Sequence, residues 1–312
     1  MSERLKRFRK EPGLYFIYAL GRILYGSLWL DKIYLKILFK HRMGKSLNLE
    51  NPKTYNEKIQ WLKLYDRNPE YTLLADKYEV RNYVANTIGE EYIIPLLGVW
   101  DRFEDIDFNT LPNEFVLKCT HDSGSVIICK DKNTFDVKEA GKKIKGCLKR
   151  NYFRNTREWA YKNIKPRIIA EEYMADESGA ELKDYKFLCY HGQPKTVDII
   201  SNRESDPRSD IFDINFKKLP VSNYYKNSET RPHKPKGYEE MIELSKKLSK
   251  DLIHVRCDFY DINGKVYFGE ITFYQGSGLE KYVPYKYDIR FGNWIDLPLE
   301  RKNKKGQILN NE

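Results

Sequence analysis

The chain has 312 residues, with 55 Lys and Arg against 45 Asp and Glu, a formal net charge of +10 and 24 tyrosines. Its length exceeds the usual single core, so two or three lobes sharing a cleft are expected, and an aromatic fraction of 14 % argues against a disordered chain. The five cysteines, Cys119, Cys129, Cys147, Cys189 and Cys257, are odd in number, widely spaced and without a CxxC pair, which argues against a disulfide framework and a structural zinc site and for reduced thiols in a cytoplasmic protein.

Much of the charge lies at the front: residues 1–46 hold eleven Lys or Arg against three acids. The run LKRFRK precedes GLYFIYALGRILYGSLWL (13–30), apolar apart from Arg22, and DKIYLKILFK continues with apolar positions at helical spacing. A spanning helix needs about 20 apolar residues, and Arg22 would fall near its middle. Three readings stand for this segment: helices packed on the body, an interfacial amphipathic anchor, and a true span. A basic front end suits an anionic membrane surface or an anionic polymer. Nucleic acid is not expected, because no recognised nucleic-acid module is present. Gly44, Lys45 and Ser46 lack the upstream glycine of a Walker loop.

Residues 55–87 carry apolar positions at helical spacing, and Ile93 and Ile94 before Pro95 suggest a strand. Short apolar runs at 115–119 and 126–130 flank HDSGS, a strand, loop, strand unit. Lys118 at the strand end, with Ser123, Gly124 and Ser125 in the loop, can hold a phosphate through the ammonium and backbone N–H groups; a plain polar turn is the alternative. The segment 137–150 reads as a basic helix, and 167–174, 184–190 and 195–200 read as strands. Glu171, with the backbone at Tyr173, can read an adenine edge, and Asp184 can take ribose hydroxyls. Residues 217–237 read as a loop and 238–252 as a helix, so the alternation makes an α+β protein.

The last unit is LIHVRCDFYDINGKVYFGEITFYQGSG, two strand-like runs at 253–260 and 265–272 around Asn263 and Gly264. A two-residue loop would pair Cys257 with Glu270 and send Asp258 and Glu270 to opposite faces. A three-residue loop over 262–264, with Gly264 left-handed, would set Arg256 opposite Glu270 and turn Asp258 and Thr272 the same way. Two carboxylates diagonal on neighbouring strands, about 7 Å apart or less, can then bridge small cations, magnesium above all. The plainer alternative is a surface hairpin with a cross-strand Arg/Glu pair.

Lys77, Lys118 with its loop, Glu171, Asp184, Arg256, Asp258 and Glu270 stand in an order that resembles the ATP-grasp superfamily. More narrowly, NPKTYNEKIQWLKLYDR, LADKYEVRNYV, EFVLKCTHDSGSVIICKDK, EEYM, DYKF and RCDFYDINGKVYFGEITF resemble the TupA-like ATP-grasp family of surface-polysaccharide gene clusters, from about Lys45 to Trp294. The resemblance implies two α+β lobes clamping ATP. On it, the chain divides into a helical basic extension (1–70), a preceding segment (71–112), a small lobe (113–172), a large lobe with the metal site (173–300) and a polar tail (301–312).

Position by position, the resemblance implies that Lys77 and Lys118 contact ATP phosphates and that Ser123, Gly124 and Ser125 form the loop over them. Glu171, Tyr173 and Met174 would line the adenine pocket, Asp184 with Lys186 beside it would bind the nucleotide, and Asp258 and Glu270 would hold Mg2+. Arg256 and the Gly276 backbone would steady the transferred phosphate and the oxyanion. Thr272 departs from the Asn usual as a third metal ligand, and Ser277 and Gly278 depart from the superfamily's residues after the glycine. The implied reaction is ATP-dependent ligation of a carboxylate to an amine through an acyl phosphate, the carboxylate being a uronic acid of a surface glycan or its precursor and the amine an amino acid. Lys186, Arg203, Arg208 and the basic front end would suit such an anionic saccharide, with the enzyme in the cytoplasm or at the inner membrane face. The rivals are a phosphotransferase acting on a sugar hydroxyl and a non-catalytic glycan-binding or scaffold protein.

Overall fold

The computed structural model describes residues 11–175, 182–202 and 206–299, with the backbone of two short stretches at 301–302 and 308–309. The LKRFRK run, Arg203 and most of the tail at 301–312 lie outside the described residues.

The first two helices among the described residues are α1 (Pro12–Ile23) and α2 (Leu28–Met43). Ser27 caps α2 by accepting a hydrogen bond from Leu30 N, and Gly44 ends it at φ +75°. Leu14 and Ile17 of α1 pack with Tyr34, Leu35, Leu38 and Phe39 of α2, and with Leu64 and Leu279 of the body. Both helices thus pack on the body. Among the described residues, no helix is long and apolar enough to cross a membrane.

Helix α3 (Tyr55–Tyr65) starts at a capping box in which Thr54 and Glu57 satisfy each other's backbone. Its two faces join separate cores: Leu64 belongs with α1 and α2, while Tyr55, Ile59 and Leu62 belong to the large core of the molecule. The helical pattern over 55–87 is broken into three pieces, α3, α4 (Glu70–Ala75) and α5 (Val80–Thr87). Pro69 at the start of α4 explains the first break.

A four-stranded antiparallel sheet follows, built from β1 (Leu96–Trp100), β2 (Phe115–Cys119), β3 (Ile127–Cys129) and β4 (Ile168–Glu172) in the order β1-β4-β2-β3. Helix α6 (Val137–Leu148) covers it with Ala140, Ile144 and Cys147 against Phe115, Leu117 and Ile168. A short helix α7 (Tyr152–Thr156) leads back toward β4.

The second sheet has five antiparallel strands: β5 (Asp184–Tyr190), β6 (Gln193–Ser201), β7 (Arg208–Asp213), β8 (His254–Ile262) and β9 (Lys265–Thr272), in the order β7-β6-β5-β8-β9. Helix α8 (Tyr238–Leu248) buries Tyr238, Met241, Leu244 and Leu248 on one face of it, against Phe187, Val197 and Phe259. Each such buried side chain contributes on the order of 1.5–3 kcal/mol of transfer free energy. The strand β7 was not expected; its sequence RSDIFD lies between polar loops and is too short to stand out. All five cysteines are buried free thiols.

Candidate active site

The site is set by the register of the β8–β9 hairpin. The turn is two residues long, Asn263 and Gly264, both left-handed at φ +57° and +93°, with Ile262 paired to Lys265. The expected three-residue loop, with Arg256 opposite Glu270, is therefore incorrect. A two-residue turn alone would have turned Asp258 and Glu270 to opposite faces, but the ladder slips by one residue between Phe259↔Phe268 and Asp258↔Glu270. Gly269 is the extra residue of this bulge, and a Cβ there would lie 3.2 Å from both the Asp258 carbonyl oxygen and the Tyr260 ring. After the bulge Asp258 stands directly opposite Glu270, and Arg256 opposite Thr272. All four side chains share one face.

The row continues across the sheet, because Lys186 on β5 is in register with Asp258 and with Asp198 on β6. Lys186 Nζ lies 2.6 Å from Asp258 Oδ2 and 3.9 Å from Asp184. Arg256 donates Nε and Nη2 to the two Asp258 oxygens at 2.6 Å each, and Nη2 also reaches Glu270 Oε1 at 2.8 Å and Thr272 Oγ1 at 3.0 Å. Thr272 Oγ1 in turn donates to Glu270 Oε1 at 3.0 Å. Lys77, just beyond α4, completes the cluster with Nζ 3.4 Å from Glu270 Oε2.

Burial would raise the Glu270 pKa, but Lys77, Arg256 and Lys186 outweigh it and hold the carboxyl well below the usual carboxylate range. Burial would likewise lower Arg256, and the Asp258 and Glu270 charges reverse that shift. Thus two carboxyl and three basic side chains share a largely buried patch in which each has a partner of opposite sign.

Lys77 also ties the sheet to the loop at 121–125: its Nζ donates to Asp122 O at 2.8 Å, and its backbone N donates to Thr120 O at 3.1 Å. Within that loop Ser125 is turned inward, its hydroxyl accepting from Cys119 N at 2.8 Å, so its oxygen serves the loop's own fold. Ser123 and Gly124 are the exposed tip, and Gly124 is left-handed at φ +86° with open space around it. Lys118 forms an ion pair with Glu171, which also meets Arg81 Nη1 at 3.2 Å. Tyr173 and Met174 follow β4, half-buried, and Asp184 is buried at the start of β5. Arg208, expected among saccharide contacts, is paired with Asp206 on the far strand β7.

The turn Gln275–Gly278 closes the other side. Gly276 is left-handed at φ +55°, where a side chain would collide with Glu280. Arg256 Nη1 donates to Gln275 Oε1, and Gln60 and Lys63 of α3 donate to the Ser277 carbonyl at 2.9 and 2.5 Å. Ser277 Oγ donates to Glu158 at 2.7 Å. Burial lowers Lys63 to about 7, and burial with the Asp198 charge raises Glu280 to about 7.

Sequence reading missed Arg81, Lys63, Glu158, Gln275, Asp198 and Glu280. Only Gln275, next to Gly276, had a local signal; the others act through contacts far along the chain. Gly269 did have one, since a glycine inside a strand pattern marks a bulge.

The carboxylate pair suits a divalent cation: Asp258 and Glu270 are in register on one face, and Glu270 is in the ionised, ligating form. Thr272 adds a hydroxyl beside them. Among the described residues, no three or more His, Cys, Asp or Glu side chains gather as a metal-binding group, so a cation here would take further oxygens from a ligand or from water.

A search of curated proteins finds no match. Among solved structures, the chain is similar to D-alanine–D-alanine ligase from Bacillus anthracis (17 % identity over 71 % of this chain and 59 % of that one, TM-score 0.38) and from Helicobacter pylori (17 %, 77 % and 69 %, TM-score 0.39). A RimK domain protein from Sphaerobacter thermophilus gives 10 % identity over 72 % and 69 %, with TM-score 0.39. The chain thus spans 59 % of the length of the first of these. The family model for TupA-like ATPgrasp matches residues 57–296, which takes in the site from Gln60 and Lys63 of α3 to the 275–278 turn. The chain belongs to the TupA-like ATPgrasp family and has the ATP-grasp fold.

Proposed function

We propose that the protein is an ATP-dependent carboxylate–amine ligase of surface polysaccharide assembly, joining an amino acid to a uronic acid of a glycan or its precursor. The observation that carries this reading is the convergence of Lys77, Lys186 and Arg256 on the in-register pair Asp258 and Glu270, beside a loop whose tip is open.

In this reading Lys77 and Lys118 bind the β- and γ-phosphates, and Ser123 and Gly124 offer backbone N–H groups to them. Glu171, Tyr173 and Met174 line the adenine, and Asp184 takes ribose hydroxyls with Lys186 behind it. Asp258 and Glu270 would hold Mg2+, with Thr272 as a weak third oxygen; when bound, the ion offsets phosphate charge. Arg256 then faces the transferred group. The γ-phosphoryl passes to a carboxylate oxygen of the uronic acid, leaving ADP and an acyl phosphate. The amine attacks the acyl carbon, phosphate departs with the electron pair of the cleaved C–O bond, and the amine loses a proton. Arg256 and the Gly276 backbone steady the charge that develops on oxygen during both steps.

Adding hydroxylamine to protein, Mg–ATP and glucuronic or galacturonic acid should yield a hydroxamate together with ADP. ADP release stimulated by a neutral sugar, with no hydroxamate from any uronic acid, would instead establish the phosphotransferase reading.

The reading includes work at an anionic membrane surface. Its support is that α1 and α2 leave Phe16, Ile23 and Trp29 exposed at 72 %, 75 % and 67 %, with Lys36 and Lys40 exposed on α2. The protein should co-sediment with vesicles containing phosphatidylglycerol and not with pure phosphatidylcholine; Trp29→Ser with Phe16→Ser should reduce that binding about tenfold. Equal binding to both lipids, or none, would remove this part.

A further inference from the structure

We infer that the open groove between α1 and the α6–α7 segment is a binding site for an anionic oligosaccharide, and that it delivers the acceptor to the site described above; the delivery rests on the ligase reading. The groove encloses about 1310 Å³. Small-molecule pockets usually hold roughly 300–1,000 Å³, so this one is larger than an amino acid or a single sugar requires.

Its charge is one-sided. Arg22 and Arg42 from the helical pair and Lys149, Arg150 and Arg154 from the opposite wall face one acid, Glu11, which is itself paired to Arg42 at 3.4 Å. Arg150 also lies 3.8 Å from Asp122, behind the loop at 121–125. Such a wall favours a polyanion over a neutral ligand.

One further feature selects a saccharide among anions. Tyr15, Tyr18, Tyr152 and Tyr224 line the groove, and tyrosine rings offer flat apolar faces for the C–H faces of pyranose rings together with a polar edge.

The groove is wired to both sides of the candidate site. The Tyr152 hydroxyl donates to Ser123 O at 3.0 Å and accepts from Ser123 N at 3.3 Å, so a ligand packing on Tyr152 bears on the loop tip. Thr156 Oγ1 donates to Glu158 Oε1 at 2.8 Å, and Ser277 Oγ, next to Gly276, donates to the same oxygen at 2.7 Å. One wall thus touches the partners of the loop and of the turn between which a carboxylate would react.

The test is calorimetric binding of trigalacturonic acid, maltotriose and triglutamate to the full chain, native and with Arg22→Glu and Lys149→Glu combined. These two side chains are exposed, one from each wall, and neither belongs to the nucleotide cluster. Trigalacturonic acid should bind the native protein, more tightly than maltotriose or triglutamate, and the double variant should weaken it about tenfold or more. Tyr224→Ala, which removes a ring and no charge, should weaken trigalacturonic acid while leaving the weak triglutamate binding as it was. Thermal stabilisation by Mg–ATP should be the same in native and variant proteins, which also reports that the variants are folded. No binding of trigalacturonic acid, equal binding in the double variant, or triglutamate or maltotriose binding as tightly would overturn the assignment. A failure of the ligase reading looks different: the oligosaccharide would still bind, and no hydroxamate would form.

Discussion

Thr272 is where one side chain most directly tunes the proposed chemistry. Its hydroxyl is already engaged, donating to Glu270 and accepting from Arg256, so it offers a divalent ion little. Thr272→Asn supplies an amide carbonyl instead, and the magnesium concentration needed for half-maximal ADP release should fall about three- to tenfold. An unchanged or higher requirement would mean that this position does not reach the ion. Glu280 gives a pH signature. Burial and the Asp198 charge raise its folded pKa to about 7, so the folded state holds this proton over a range where the unfolded chain has lost it. Stability should therefore fall as pH rises from the unfolded pKa of about 4.3 to about 7 and be level above that. Glu280 is partly exposed, which discounts the effect to on the order of 1 kcal/mol. Denaturant midpoints at pH 5 and pH 8 should differ less in Glu280→Gln than in the native protein; an identical difference would show that Glu280 is not the group.

Among elements, the β8–β9 hairpin shows how much was legible and why the rest was not. The Asn-Gly pair, the two strands and the residues that share a face within each strand were readable, because turn chemistry and period-2 alternation are local. The register was not read correctly, because two opposite corrections cancel: a shorter turn than expected and a bulge at Gly269. Gly269→Ala should cost about 1–3 kcal/mol, since its methyl would press on the Asp258 carbonyl and the Tyr260 ring, and Mg–ATP binding should weaken with it. Urea denaturation reads the first effect, and unchanged stability would mean that the bulge tolerates a side chain. Arg157 makes the comparable point for the helical elements. It is fully buried and left-handed at φ +59°, donates to Asp31 at 2.7 Å and to the Gly21 carbonyl at 2.7 Å, and stacks on Tyr34 with 4.2 Å to the ring centroid. Arg157→Met should destabilise by about 3–5 kcal/mol because it strands the Asp31 charge, and adding Asp31→Leu should restore part of that loss. If the double variant is no more stable than the single, the carbonyl contacts carry the cost. Nothing in NTREWA announces this role, as the partners lie over a hundred residues away.

At the scale of the molecule, three apolar cores are stitched together by polar side chains, with α3 shared between the helical pair and the five-stranded sheet. The alternation of strands and helices was visible in the apolar periodicity, and so was the α+β class. The convergence of Lys77, Lys186, Arg256, Asp258 and Glu270 was not visible in spacing alone, since these residues span nearly 200 positions; the ordered motifs carried it. What the sheet adds is a reason for the convergence: Lys186, Asp258 and Glu270 stand in register across three adjacent strands, and Lys77 closes over them from the loop side. Thermal unfolding with Mg–ATP, with ATP and a chelator, and with magnesium alone tests this arrangement most directly, in native protein and in Glu270→Gln. At about a hundredfold excess over the dissociation constant, ligand binding is worth about 2.7 kcal/mol and should raise the midpoint by roughly 4–8 °C in native protein, only when nucleotide and metal are both present. Glu270→Gln should remain folded and lose that shift; a native protein indifferent to Mg–ATP, or a variant that responds as fully as native, would contradict the account.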